Sequence, residues 1–203
     1  MLASVSVGKA VFSDNFGAIR LYESIGFSAE GLKISARKLE DRYQNDILAV
    51  NLSAAFHTMR HALPRMAQAK YGRVINIASV HGLVASASKA PYVSAKFGLV
   101  GLSKVAALEY AQVGDASSGG VTINCICPGW VDTALLTPQI TERQQKLGIS
   151  TEAAVDALLA EKQPTRRLST PQEIARLALW LCAPEAHNVT GSAIPVDGGW
   201  TAQ

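Results

Sequence analysis

Apolar residues recur at intervals of three and four from Leu48 through Leu52, Ala55, Phe56, Met59 and Leu63. That is the period of an amphipathic helix, and it predicts one over about 45–69, ending near Pro64 to Ala69. Gly72 then opens Arg73-Val-Ile-Asn-Ile-Ala-Ser79, a short apolar run between turn residues, as in a strand buried on both faces. A second helix is predicted over about 91–112, followed by the polar, glycine-rich loop Gly114 to Gly120. Val121 to Ile126 is a second buried strand, closed by Pro128-Gly129. A helix-rich stretch covers about 135–161. Thr170-Pro171-Gln-Glu173 then combines a capping box with proline at the first helical position. Ile174, Leu177, Ala178 and Leu181 give that helix its buried stripe, and Ala193 to Val196 is a third short strand. Helices alternating with buried strands predict an α/β fold whose sheet is parallel.

The first 44 residues follow a different pattern. Ser13-Asp14 can cap a short helix with the stripe Ala18, Leu21, Tyr22 and Ile25, stopped at Gly26. Leu32 to Leu39 alternates imperfectly, as a β-segment does before the turn at Glu40-Asp41. The chain divides at this level into residues 1–44, a packing segment, and residues 45–203, which hold the chemistry described below.

Composition narrows the class. With 203 residues, 48% hydrophobic and 17% charged, the chain can bury the core of about one domain. A net charge of +3 is too small to point to nucleic acid or an anionic membrane. Cys125, Cys127 and Cys182 make neither an even disulfide framework nor a metal-ligand spacing, so no metal is expected and a reducing compartment is. The start carries no basic, then apolar, leader pattern, and no run approaches the roughly 20 apolar residues of a membrane span. A cytoplasmic protein is expected.

Tyr92-Val-Ser-Ala-Lys96 places a phenol and an ammonium at i and i+4 on one helix face. An ammonium there can hold a phenol below its free value near 10 and make it a usable proton donor or acceptor. Ser79 falls at the C-terminal end of a predicted buried strand, where open α/β sheets place ligands. Asn51 interrupts an apolar helical stripe, where an amide needs a hydrogen-bond partner. Asn76 and Asn124 lie within strands and suit structural roles.

Asn51, Ser79, Tyr92-x-x-x-Lys96, Pro128-Gly129 and Asp197-Gly198-Gly199, in this order and spacing, resemble the short-chain dehydrogenase/reductase family over about 45–203. The resemblance implies a partial Rossmann-like parallel sheet flanked by helices, a nicotinamide cofactor and hydride transfer at a carbonyl carbon. It makes Tyr92 the general acid/base and gives Ser79 the substrate oxygen. Lys96 lowers the tyrosine pKa and bonds the nicotinamide ribose, while Asn51 supports a water linking Lys96 to solvent. Pro128, Gly129, Val131 and Thr133 line the nicotinamide side.

Ile77-Ala-Ser-Val-His-Gly-Leu-Val-Ala-Ser86, Cys127-Pro-Gly-Trp-Val131, Glu161-Lys-Gln-Pro164 and Pro195-Val-Asp-Gly-Gly-Trp-Thr-Ala-Gln203 are similar to one group of that family, the bacterial D-3-hydroxybutyrate dehydrogenases. That implies NAD and a small 3-hydroxy or 3-keto acid as substrate. His81, Lys89 and Gln139 would bind its carboxylate, and Trp130 and Trp200 would shape a small pocket. A cation with two neutral donors both orients such a small acid and rejects neutral alcohols. The helices over about 45–69 and 91–112 form the main oligomer interface in family relatives, so a homodimer or homotetramer is expected.

Family members begin with a strand and a glycine-rich turn whose backbone amides receive the pyrophosphate. Before Asn51 the only glycines are Gly8, Gly17, Gly26 and Gly31, which match no such turn. In its place, Asn15 to Phe27, Glu30-Gly31 and Asp41 to Asp46 resemble the C-terminal end of a GNAT N-acetyltransferase, over about 12–50, without that family's pyrophosphate loop. The sequence therefore predicts a truncated or chimeric dehydrogenase with its chemical half present. Two alternatives stay open: a non-catalytic, oligomerising dehydrogenase homologue, and an acyltransferase remnant.

Overall fold

The computed structural model describes residues 47–115 and 117–202. The N-terminal helix and β-segment expected within 1–44 lie outside these residues. Three strands, β1 (Tyr71–Ile77), β2 (Gly120–Pro128) and β3 (Ala193–Val196), form one sheet in the order β1-β2-β3. Both pairings are parallel, with Tyr71 opposite Gly120 and Cys125 opposite Ala193. Parallel neighbours need crossover connections. Helix α2 (Ala90–Glu109) joins β1 to β2, and α3 (Thr137–Leu147), α4 (Thr151–Ala160) and α5 (Pro171–Cys182) lie between β2 and β3.

The sheet is covered on both faces, which is why β2 reads as continuously apolar. Along β2, alternate residues Val121 and Ile123 meet Met59, Leu63 and Met66 of helix α1 (Ala54–Gln68) and Ala106 and Ala107 of α2. Cys125 and Cys127 continue the same face against Leu99 and Val100. Helix α5 packs on β1 and β2 and buries Leu181 completely. Helix α1 ends at Gln68, within the predicted bounds, and is preceded by a π turn over Ala49–Ser53. Its buried stripe is Met59, Leu63 and Met66, while Leu48 and Phe56 are exposed and Leu52 and Ala55 pack against the Cys125–Cys127 end of β2.

Strand-borne asparagines are satisfied internally, as a buried amide requires. Asn76 donates to Ser103 Oγ at 2.8 Å. Asn124 donates to the Val189 carbonyl at 2.6 Å and accepts from Ser192 N–H at 3.1 Å, clasping the approach to β3. Helix α5 starts with the reciprocal Thr170–Glu173 capping box and Pro171 at its first turn. Pro195 sits on β3, an edge strand, where a missing N–H is tolerated.

Candidate active site

Parallel pairing brings the C-terminal ends of all three strands to one edge, and the candidate residues gather there. Beyond β1 the chain stays paired through Ala78 N–H to the Ile126 carbonyl at 2.8 Å. Ser79, extended at φ −174°, then caps a 3-10 turn over Val80–Gly82. Its Oγ accepts from His81 N–H at 3.2 Å. Gly82 is what lets this turn approach α2, since a Cβ there would lie 2.9 Å from both the Lys96 carbonyl oxygen and Val100 Cγ2. That close approach sets Ser79 against Tyr92, one turn before Lys96 on α2.

Burial pushes the Tyr92 phenol above 10.0, and a hydrogen bond with Ser79 opposes the shift. Burial thus sets the net direction, opposite to the lowering that the sequence resemblance assigns to Lys96. The Lys96 ammonium lies 5.6 Å from the Tyr92 ring centroid and donates to the Ile77 carbonyl at 3.1 Å. Lys96 is itself buried.

A second group faces these residues. Lys89, at the N-cap of α2, follows Ser88, whose φ of 61° turns the chain into the helix. Lys89 Nζ lies 3.4 Å from His81 Nε2 and 5.7 Å from the Trp130 ring centroid. Burial first, and then the Lys89 ammonium, hold buried His81 below the usual 6.5. At neutral pH the imidazole beside Lys89 is therefore neutral. The His81 ring stands edge-on to Tyr92 at 6.0 Å and to Trp200 at 5.5 Å, and Trp130 is 5.7 Å from Trp200. The buried indole N–H of Trp130 has no hydrogen-bond partner among the described residues.

Ser79, His81, Lys89, Tyr92, Lys96, Trp130 and Trp200 are thus brought together. The other expected residues are placed differently. Gln139 is exposed on α3 and makes no hydrogen bond to the cluster, because α3 packs on α4 and points that residue outward. Asn51 lies in the π turn and donates to the Ile47 carbonyl at 3.0 Å. Pro128 ends β2, and Gly129 N–H donates to the Val196 carbonyl at 2.9 Å. Val131 bridges to Ser169, and Thr133 is exposed at the start of the 3-10 turn Ala134–Leu136.

Two further residues shape this edge; both stand in segments that carry the family resemblance, but the sequence assigns a role to neither. Asp197 accepts from Gly199 N–H at 3.1 Å, Thr201 N–H at 2.9 Å and Thr201 Oγ1 at 2.7 Å, fixing the turn that carries Trp200. Gln163, fully buried after α4, accepts from Trp130 N–H at 3.1 Å. The donor set suits the nicotinamide-ribose end of a dinucleotide, with a buried ammonium and a phenol at the strand edge. For the pyrophosphate, the described residues offer no glycine-rich turn between a strand and a following helix. The positive-φ glycines Gly114 and Gly119 precede β2, and Gly120 is its first residue.

Comparison with known proteins agrees with this geometry. The family described as Enoyl-(Acyl carrier protein) reductase matches residues 9–201. That range begins upstream of residue 45, where the sequence resemblance to the dehydrogenases starts, and lends no support to the acetyltransferase resemblance. The chain is 52% identical over 157 residues to D-beta-hydroxybutyrate dehydrogenase of Cupriavidus necator, covering 77% of this chain and 58% of that protein. It is 47% identical to the enzyme of the same name from Rhizobium meliloti, with 77% and 58% covered. The structure of actinorhodin polyketide ketoreductase with NADPH superposes with a TM-score of 0.71 at 32% identity, over 83% of this chain and 63% of that one. The chain thus spans less than two thirds of the length of these relatives.

Proposed function

Because this chain belongs to the short-chain dehydrogenase/reductase family, we propose that it interconverts D-3-hydroxybutyrate, or a similar short 3-hydroxy acid, and its 3-keto acid. The observation that carries this reading is the pairing of two groups across one small site: Ser79 with Tyr92, and Lys89 with His81 3.4 Å apart. A short hydroxy acid has a polar group at each end, and this site offers a matching partner to each. In reduction, the protonated Tyr92 Oη gives its proton to the carbonyl oxygen that Ser79 holds; in oxidation the phenolate form of Tyr92 takes the hydroxyl proton back. Lys89 and the neutral His81 hold the carboxylate, and Trp130 and Trp200 limit the length of acid that fits. A nicotinamide cofactor, when bound, supplies or accepts the hydride. Lys96, Tyr92, Pro128, Gly129, Val131 and Thr133 would hold its nicotinamide end; the sequence resemblance to the hydroxybutyrate dehydrogenases implies NAD.

The test is an NADH titration followed by tryptophan emission, together with 3-hydroxybutyrate oxidation. Saturable binding and turnover that Tyr92→Phe abolishes are expected. No emission change at millimolar NADH would remove the dehydrogenase reading for this chain. A second reading, a non-catalytic associating homologue, is favoured by the missing glycine-rich turn and predicts that outcome. In either case we place the chain in a homodimer or homotetramer formed through α1 and α2, whose exposed apolar residues include Phe56, Phe97, Val105 and Leu108.

A further inference from the structure

The Glu161-Lys-Gln-Pro164 segment has a definite physical role that the chemistry above does not use. Gln163 is only 1% exposed, although it lies on a connection between helices, where glutamine is ordinarily solvated. Its Oε1 accepts from Trp130 N–H at 3.1 Å, and its Nε2 donates to the Arg167 carbonyl. One amide thereby satisfies a donor and an acceptor from two separate segments. It is also wedged between two glycine turns. A Cβ on Gly129 would lie 2.8 Å from Gln163 Oε1, and a Cβ on Gly198 would lie 2.5 Å from Gln163 Cγ. Gly198 has a φ of 58°, so the turn that admits the glutamine is one that side chains disfavour. The backbone supports the same placement, with Thr165 N–H donating to the Gly198 carbonyl at 3.1 Å and Arg166 N–H to the Gln163 carbonyl at 2.8 Å.

These two turns are the ones that carry the indoles. Trp130 follows Gly129 directly, and Trp200 follows Gly198-Gly199. We infer that Gln163 is a positioning residue that sets the separation of the β2 and β3 end turns, and so the spacing of Trp130 and Trp200 across the pocket. The inference rests on the dehydrogenase reading only for the pocket's occupant; the spacing of the indoles is a property of the unliganded chain. Asparagine is one methylene too short to span both partners. Methionine fills the volume but can replace neither hydrogen bond and would leave a buried N–H and a buried carbonyl unsatisfied.

The experiment uses the full chain with Trp180→Phe, so that emission comes from Trp130 and Trp200 alone. Gln163→Met is expected to raise the acrylamide quenching constant about twofold and to shift emission to longer wavelength, as loosened turns admit water. Asn124→Ala is the control for a merely structural loss. It breaks an equally buried amide clasp away from the indoles and should lower the melting temperature without moving emission or quenching. If Gln163→Met does not fold, Gln163→Glu replaces it. The glutamate keeps the acceptor for Trp130 N–H but, once ionised, loses the donor to Arg167, and the same shift in reduced size is expected. Parent-like emission and quenching in a folded Gln163 variant, or an equal change in Asn124→Ala, overturns the assignment. Neither readout needs cofactor or substrate, so this outcome is separate from the NADH titration. Where turnover is measurable, KM for 3-hydroxybutyrate should rise about fivefold with kcat nearly unchanged; a loss confined to kcat overturns it as well.

Discussion

Tyr92 keeps its proton because burial removes the phenol from water, and Ser79 only partly offsets that cost. Absorbance titration should therefore show one tyrosine ionising later than a free phenol, and Tyr92→Phe should delete that component. Since the folded value lies above 10.0, stability is unaffected at lower pH and falls once the unfolded phenol begins to ionise near 10. His81 has the opposite sign. Its folded value lies below 6.5, so the unfolded imidazole protonates first and stability declines as the pH drops below that point. A His81→Gln variant should lose this acid-side slope in denaturation measured across pH. The thiols supply a third check. Burial drives Cys127 from 9.0 up to about 11 and also raises Cys125, and both are fully enclosed. At pH 8 a thiol reagent should reach half-buried Cys182 alone, and all three cysteines only after unfolding. The i, i+4 spacing made the Tyr92–Lys96 pairing readable from residues alone. The direction of the tyrosine shift was not, because it depends on how much water the fold removes.

At the scale of elements, the capping box is the most local device in the chain, and it was fully legible because all its parts lie within four residues. Thr170→Ala should destabilise the protein by about 1 kcal/mol in urea unfolding, through loss of the N-cap. Glu173 is held below its usual carboxylate value by the Thr170 backbone and side chain. Its contribution is present above about 4.5 and is lost as the pH falls further. The three strands were equally readable as short apolar runs between turns. Less so was helix α1: the three-and-four period extends to Leu48 and Phe56, but a period alone does not say which of its residues the sheet covers. Gln163 stands in a motif of the family resemblance, but its role was not readable, because it joins residues 130, 167 and 198 and no local pattern announces contacts to residues 130 and 198. Gln139 shows the converse. A resemblance assigned it to the pocket, yet the packing of α3 on α4 turns it to solvent.

At the scale of the molecule, no helix among the described residues is long and apolar enough to cross a membrane. Among the described residues, exposed apolar side chains include Phe56 on α1, Phe97, Val105 and Leu108 (80%) on α2, and Leu179 (71%) and Trp180 on α5. Exposed patches of this kind mark association surfaces. The native mass should therefore be two or four times 21.5 kDa, and Phe97→Glu with Leu108→Glu should shift it to the monomer. A monomeric parent protein would remove that expectation. The family's order of motifs made the site's end of the sheet predictable, since parallel strands present their C-termini together. The sheet's rank order is a different matter, and it has a consequence in time. Of the described strands, β2 alone is paired on both sides, and it carries the fully enclosed Ile123, Cys125, Ile126 and Cys127. Its amides should be the last to exchange with deuterium, after those of β1 and β3. The strand leading to the Gly129–Trp130 turn would then open most slowly, and the site's backbone geometry would persist nearly as long as the fold itself.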